Sequence, residues 1–460
     1  MKLKKSEKTK KELQKYLEIL YVLVCAAIFF TWSLTLSFDR APDEMMRYQI
    51  PQYIFSHGAL PSGNDATLRN DMWGFSYAYY PTFIGPIFSA LFMKIASFFS
   101  SSEFILLVAA RFTSVISGTA TIWFLMKSAK RLFKEETKWF IVIMLSMLPQ
   151  FVYLSSYVNN DIICICGSAI MVYAWICGLQ DGWNYKNGIT LAAGIVIAAL
   201  SYYNSYGWIL SSILIFGMSY LIKSYRNTDF KKMFRIGGVI SAIVLVCVAG
   251  FFIRNAIIYQ GDFLGMKSLT ESSQMYALDW LKPTNRNIAA NHGDSVWQML
   301  ISKEWTGYTW ADLTFRSFIG TFGYMQVWLS VKAYWFYLVI FAVGILGFLI
   351  MEASGLFRHK EKDQYYKGTI LLKCGLTISF VIPIALSIYY SYAVDYEPQG
   401  RYCYPMVIAL MCFLGYGYDW IMKKIPWKVF RRAFVLVYAV VAMGILAYAY
   451  TTVVMWLKTL

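Results

Sequence analysis

Charge is what this chain has least of. Asp, Glu, Lys and Arg make up 15% of its 460 residues, where a soluble protein carries nearer ~25%. Histidine occurs three times, as His57, His292 and His359. None has a metal-ligating partner at helical spacing, so a structural zinc site is unsupported. The eight cysteines, Cys25, Cys164, Cys166, Cys177, Cys247, Cys374, Cys403 and Cys412, fall nearly all inside apolar runs. They read as small buried hydrophobes, and disulfides are not expected. Cys164 and Cys166 form C-x-C, which is no zinc signature by itself. No Walker A sequence, G-x-S-x-G, or G-x-G-x-x-G in a strand–helix context is present, so ATP hydrolysis and dinucleotide binding are not expected. A cleavable signal peptide is not expected either, because the first apolar run is too long and charges follow it. The sequence shows no internal repeat and no low-complexity tract.

What is abundant is apolar chain: 58% of residues are hydrophobic and 18% aromatic. Runs of about 20 apolar residues recur, each long enough to cross a bilayer as a helix. The expected fold is all-α and integral to the membrane, a single transmembrane domain over 1–460 with about eleven spanning helices. The formal net charge of +16 sits in short clusters between the runs. That arrangement points to topology determinants and contacts with membrane lipids rather than nucleic acid, since no basic helix or RNA-binding motif accompanies it.

The clusters set an expected topology. Residues 1–16 carry seven lysines and predict a cytoplasmic N-terminus. Spans are predicted at about 17–37, 104–126, 138–156, 161–179, 188–200, 206–222, 234–253, 333–351, 369–389, 404–420 and 433–457. Five basic loops then fall inside. They include Lys127, Lys130, Arg131, Lys134 and Lys138; Lys223, Arg226, Lys231, Lys232 and Arg235; Arg358, Lys360, Lys362 and Lys367; and Lys423, Lys424, Lys428, Arg431 and Arg432. The agreement requires the apolar run 82–100 to be juxtamembrane or re-entrant. If that run spans instead, a single long helix in place of the short pair 188–200 and 206–222 restores consistency. Two long segments are left outside: 39–103, with juxtamembrane helices, and 254–332.

The residues suited to chemistry gather on that outer side. Asp43 and Glu44 lie just past the first helix, behind Pro42, which restrains the backbone there. A carboxylate at a membrane surface can act as general base on an acceptor hydroxyl, or the pair could bind a divalent cation; the bland reading is a solvated loop. Asp161, in V-N-N-D, falls where two apolar runs meet, and serves function or caps the helix that follows. Arg254 leaves the membrane ahead of a turn at Gly261 and Asp262. Arg401 enters the next helix from E-P-Q-G-R-Y, with Gln399 beside it. Arginine binds phosphate bidentately and stays charged in apolar surroundings; a single interfacial arginine is otherwise explained by snorkelling. Arg111 is a weaker candidate of the same kind. The many Trp and Tyr residues of the outer segments suit sugar stacking or an interfacial belt.

Together these motifs form a pattern. The acidic pair after the first helix resembles the signature of the GT-C class of integral membrane glycosyltransferases. Four further stretches resemble one bacterial, largely uncharacterised multispanning branch of that class: V-N-N-D (158–161), R-N-A-I-I-Y-Q-G-D-F-L-G (254–265), F-R-S-F-I-G-T-F-G-Y (315–324) and Q-G-R-Y (399–402). The resemblance implies a sugar donor on a polyprenyl phosphate and inverting transfer, at the outer face, to a lipid-linked glycan or cell-wall polymer. Asp43 matches the usual base. Where the branch often has His three residues after the Glu, this chain has Arg47, which weakens a His-assisted metal site and offers a phosphate contact instead. The expected site therefore has Asp43 and Glu44 as catalytic residues. Arg401, Arg254 and Arg47 face the donor phosphate, and Asp161, Gln399 and Asp262 support them. A divalent cation on Asp43 and Glu44 is the one cofactor left open. A transporter or flippase of lipid-linked sugars is the alternative, but it needs polar residues along the bilayer midplane, and few are present. A non-catalytic scaffold for cell-wall assembly is a third reading.

Overall fold

Apolar runs longer than a membrane is thick can satisfy their backbone only as helices, and helices they are. A computed structural model describes residues 2–221, 229–356 and 364–459. Lys223, Arg226, Arg358, His359, Lys360, Lys362 and the end of the span predicted at 206–222 lie outside the described residues. The helices in chain order are α1 (Lys2–Thr35), α2 (Glu44–His57), α3 (Ile84–Ser97), α4 (Glu103–Leu132), α5 (Glu135–Ser146), α6 (Pro149–Leu154), α7 (Asp161–Asp181), α8 (Tyr185–Ala199), α9 (Tyr206–Leu221) and α10 (Phe230–Ile258). Four short ones, α11 (Met266–Tyr276), α12 (Ala289–His292), α13 (Val296–Ile301) and α14 (Trp310–Gly320), fill the second long segment. A two-stranded antiparallel pair, β1 (Thr321–Phe322) and β2 (Val327–Trp328), follows. The chain ends in α15 (Val331–Leu356), α16 (Gln364–Ala393), α17 (Val407–Lys424) and α18 (Lys428–Leu457).

The protein is an all-α integral membrane protein, but its spans are less uniform than the eleven expected. Eight helices among the described residues are long and apolar enough to cross a membrane. The span predicted at 138–156 is broken: α5 stops at Ser146 and α6 starts at Pro149. Proline lacks an N–H and suits the first turn of a helix, and here Pro149 starts a new helix rather than continuing the old one. At 15 residues α8 is short of a full span. The 14-residue α3 is about 21 Å long, less than the hydrocarbon thickness of ~30 Å. It lies against α2 and α4.

Burial separates inner helices from outer ones. In α7, 94% of the apolar stretch is buried, against 6% in α10. The exposed Leu245, Val246 and Ile253 of α10 and Leu436, Val437 and Val440 of α18 form surface that lipid rather than water solvates. Cys247 and Cys374 are exposed on outer helices, so the expectation of buried cysteines holds for the other six only. Small residues bring inner helices together: a Cβ on Gly417 of α17 would meet the Gly344 carbonyl of α15 at 1.9 Å. Backbones pack this closely only without side chains between them.

Among the described residues, basic side chains of the loops near 130–138 and 423 gather at one end of the bundle. Glu18 of α1 pairs with Lys130 at 3.0 Å and with Lys138 at 2.7 Å. Arg131 pairs with Asp181 at 2.9 Å. The Lys134 amide donates to Asp419, whose carboxylate also pairs with Lys423. Lys138 is 1% exposed and also pairs with Glu135 at 2.9 Å, so removing Glu18 strips one of its two counter-charges, at a cost of about 1.5–3 kcal/mol. Glu18→Gln should therefore lower the unfolding midpoint of the detergent-solubilised protein, read by a thermal fluorescence scan. Adding Lys138→Met should restore most of the loss, because the pair rather than either partner carries the effect. An unchanged midpoint in the single variant would remove this pair as a fastening of α1 to α5.

Candidate active site

At the opposite end, the two adjacent carboxylates part company. Asp43 has φ +62°, a left-handed conformation that Asp tolerates better than most residues. This bend sends Asp43 and Glu44 in different directions. Glu44 turns inward and is fully buried, with its oxygens 2.7 Å from Arg111 Nε and Nη2. It also accepts the Val158 amide at 3.1 Å. Arg111 places its remaining N–H groups on the Ser33, Leu36 and Ser37 carbonyls at 2.8, 2.6 and 3.3 Å. All five guanidinium donors are thus engaged, and the free carbonyls at the end of α1 gain partners. Both side chains are 0% exposed, and the geometry gives Glu44 and Arg111 a structural place.

Asp43 turns the other way. It sits at the N-cap position of α2, yet its side chain makes no capping hydrogen bond. Its Oδ2 is 2.8 Å from Arg401 Nη1. Arg401 is 4% exposed and is aimed by its neighbours: its Nε donates to Gln399 Oε1 at 2.7 Å and its Nη2 to the Tyr402 hydroxyl at 3.0 Å. The backbone entering Arg401 is fixed at Gly400. A Cβ there would meet Phe318 N at 2.2 Å, and the Gly400 amide donates to Ser317 at 2.6 Å. The Arg47 guanidinium lies over the Tyr77 ring, 4.4 Å from its centroid, and its Nε is buried without a partner. Asp161 is buried beside these groups. The Asn159 side chain accepts the Ile162 amide at 3.0 Å and so meets the capping need of α7, which leaves Asp161 Oδ2 buried and unpartnered. The Tyr157 hydroxyl is unpartnered too.

Burial pushes the Asp43 carboxyl up, but the Arg401 and Arg47 guanidiniums and the Tyr77 hydroxyl outweigh it and hold the group below the usual carboxylate range. The Glu397 carboxyl goes the other way. Burial, with Asp395 and Asp43 nearby, raises it to about 7 in spite of Arg401. The structure thus brings together Asp43, Arg47, Asp161, Gln399 and Arg401, which come from three separate parts of the chain.

Two expected members are engaged elsewhere. Arg254 Nη2 donates to the Leu60 and Pro61 carbonyls at 3.0 and 2.8 Å, with only Nη1 buried and unpartnered. Asp262 accepts the Gly265 and Ser268 amides at 3.0 and 2.8 Å and shapes the start of α11. Asn255 and Tyr259 of the same stretch hold the Tyr79 carbonyl and the Gly63 amide. This motif fastens the first long segment, and with it Tyr77. The 315–324 stretch holds Gly400 through Ser317, and its Tyr324 hydroxyl donates to Asp39 at 2.7 Å. Tyr77, Tyr157, Glu397 and Tyr402 were not singled out from the sequence. Glu397 and Tyr402 stand in a quoted motif, whereas one tyrosine among 35 gives no signal.

A divalent cation on Asp43 and Glu44 does not fit these side chains. Both Glu44 oxygens are bonded to Arg111, and Asp43 faces two guanidiniums. Among the described residues no three His, Cys, Asp or Glu side chains converge on a metal position.

Comparison with known proteins places the fold. A sequence family described as dolichyl-phosphate-mannose-protein mannosyltransferase matches residues 82–253. No curated protein sequence matches the chain significantly. Two solved structures of the Archaeoglobus fulgidus oligosaccharyltransferase AglB, one with an inhibitory peptide and a dolichol phosphate and one tethered to an acceptor peptide, align over 95% of this chain at 14% identity, with TM-scores of 0.54 and 0.56. The chain covers 55% of the length of each. ArnT from Cupriavidus metallidurans bound to undecaprenyl phosphate aligns over 94% of this chain and 71% of its own at 14% identity, with a TM-score of 0.49. The chain therefore shares its fold with the oligosaccharyltransferase from Archaeoglobus fulgidus.

Removing one partner of the buried Glu44–Arg111 pair strands a charge and should cost about 3–5 kcal/mol. Arg111→Met should sharply reduce the folded fraction recovered by size-exclusion chromatography, while Asp43→Asn should be recovered like the wild type. Equal recovery of all three proteins would refute the division of labour between the two carboxylates.

Proposed function

We propose that the protein is a GT-C-type glycosyltransferase that moves a sugar from a polyprenyl-phosphate donor to a lipid-linked or cell-wall glycan. The observation that carries this reading is the Asp43–Arg401 pair at 2.8 Å, flanked by Arg47 and Asp161. It offers one base and two phosphate-binding cations in one place. The matched mannosyltransferase family and the shared fold support the class of reaction. The basic side chains near 130–138 and 423, at the far end of the bundle, support an extracytoplasmic site and a cytoplasmic N-terminus.

In this reading the donor phosphate draws Arg401 and Arg47 to itself. Asp43 then loses the guanidinium that weakens it as a base. It takes the proton of the acceptor hydroxyl as that oxygen attacks the anomeric carbon from the face opposite the phosphate. The bond from the anomeric carbon to the phosphate oxygen breaks with inversion. Polyprenyl phosphate leaves with one more negative charge, which the two arginines stabilise, and the proton remains on Asp43. A phosphate ester is already a good leaving group, so no nucleotide is needed. Asp161, with its unpartnered oxygen, is placed to accept a sugar or acceptor hydroxyl.

The test is transfer by the purified protein in detergent, with a panel of undecaprenyl-phosphate sugars and a membrane lipid extract as acceptor. Asp43→Asn and Arg401→Ala should each lose at least about a hundredfold in turnover, the scale of a general base or an oxyanion-binding group. Wild-type turnover in Asp43→Asn would refute the base. Donor binding without transfer, with any acceptor fraction, would favour transport of lipid-linked sugars instead.

A further inference from the structure

The pairing of Arg401 with Asp43 raises a question of charge. Arg401 is claimed by carboxylates before any phosphate arrives, and a second one stands close behind. Glu397 Oε2 is 4.0 Å from Arg401 Nη2 and accepts a hydrogen bond from the Tyr402 hydroxyl. Tyr402 in turn accepts from Arg401 Nη2 at 3.0 Å, so the three side chains form a relay. Gln399 touches both ends, accepting from Arg401 Nε and donating to Glu397 at 3.4 Å.

From this arrangement we propose that Glu397 is a positioning residue whose protonation releases Arg401 to bind the phosphate of the donor. The proposal rests on the phosphate-donor reading above. With Glu397 ionised, Arg401 sits between two carboxylates, and a third anion must displace both. With Glu397 neutral, only Asp43 competes, and the Tyr402 hydroxyl can turn from Glu397 toward the incoming oxygen. The groups that face Glu397 are Arg401 and Tyr402 from the segment before α17, Asp395 on its own loop, Asp43 at the start of α2 and Tyr390 of α16. Arg286 of the second long segment faces Asp395 and donates to the Val394 carbonyl at 3.2 Å. The nearby carboxylates and burial all favour a proton on Glu397, which places its titration at about 7, where a change of proton occupancy alters function. A bound phosphate adds negative charge and raises it further, so binding takes up a proton.

The sign follows from linkage. A ligand that binds with a proton loses affinity as pH rises through the value of the free protein, by about tenfold per pH unit above it. The probe is radiolabelled undecaprenyl phosphate on the full chain in detergent, between pH 7 and 9. That window lies above the phosphate's own second ionisation near ~6. Wild type should lose about tenfold in affinity per pH unit. Glu397→Gln should bind with a nearly flat profile, at least as tightly as wild type at pH 7. In Tyr402→Phe the carboxylate loses a hydrogen bond that lowers its pKa, so the fall should begin at a higher pH; this shift keeps the test open even if the first variant folds poorly. A Glu397→Gln profile parallel to wild type would overturn this proposal alone. Failure of every variant, and of wild type, to bind the lipid at any pH would overturn the donor reading and this proposal with it.

Discussion

The Arg111 guanidinium is the point on which this end of the molecule depends. Five donors meet five acceptors, two from Glu44 and three from the end of α1. A buried ion pair commonly fails to recover the desolvation of its charges unless every remaining donor and lone pair is satisfied. Here that condition is met on the arginine side, and Glu44 takes a further amide from Val158. One interaction thus ties α1, the start of α2, α4 and the approach to α7. Its second consequence is chemical. Because Glu44 is buried on Arg111 and the Val158 amide, only Asp43 of the acidic pair faces Arg401, and the left-handed turn at Asp43 aims it away from Arg111.

The balance of charge around Asp43 follows from the same constraint. Asp43 and Asp161 face Arg47 and Arg401, so the ligand-free centre is close to neutral, as a buried cluster must be. Neutrality is reached by few direct bonds. Arg47 Nε, Asp161 Oδ2 and the Tyr157 hydroxyl are all buried and unpartnered. Buried polar groups normally find partners, and on the proposed reading these three receive theirs from the substrate. A phosphodiester with a sugar attached brings both the anion for the arginines and the hydroxyls for Asp161.

Much of the fold was legible because hydrophobic length is a long-range signal carried by each segment alone. The predicted spans fall on α1, α4, α7, α8, α9, α10, α15, α16, α17 and α18. The exception, 138–156, reads as one apolar run, yet Pro149 divides it into α5 and α6. The site was legible only in part, since side-chain direction is not local. Asp43 and Glu44 are adjacent in sequence and opposite in fate, and the cause is an arginine in another helix. Arg254 looked like a phosphate ligand because nothing in its neighbourhood reveals that the Leu60 and Pro61 carbonyls lie within reach. Glu397 stood in a recognised motif, but its significance depends on Tyr402 folding back over it.

The motif residues divide into two kinds, and the division bears on what such motifs report. Asn255, Asp262, Asn159, Ser317 and Gly400 bond to backbone amides or carbonyls, or clear space for them. Such contacts depend on chain geometry and are indifferent to the substrate. Asp43, Arg47, Asp161 and Arg401 instead face one another and leave polar atoms unpaired. A resemblance carried by both kinds therefore reports a frame together with a charge arrangement at its mouth. It reports less about the sugar or the acceptor. On the proposed reading, those are selected by side chains on the two long segments, 39–103 and 254–332, whose backbone the frame positions.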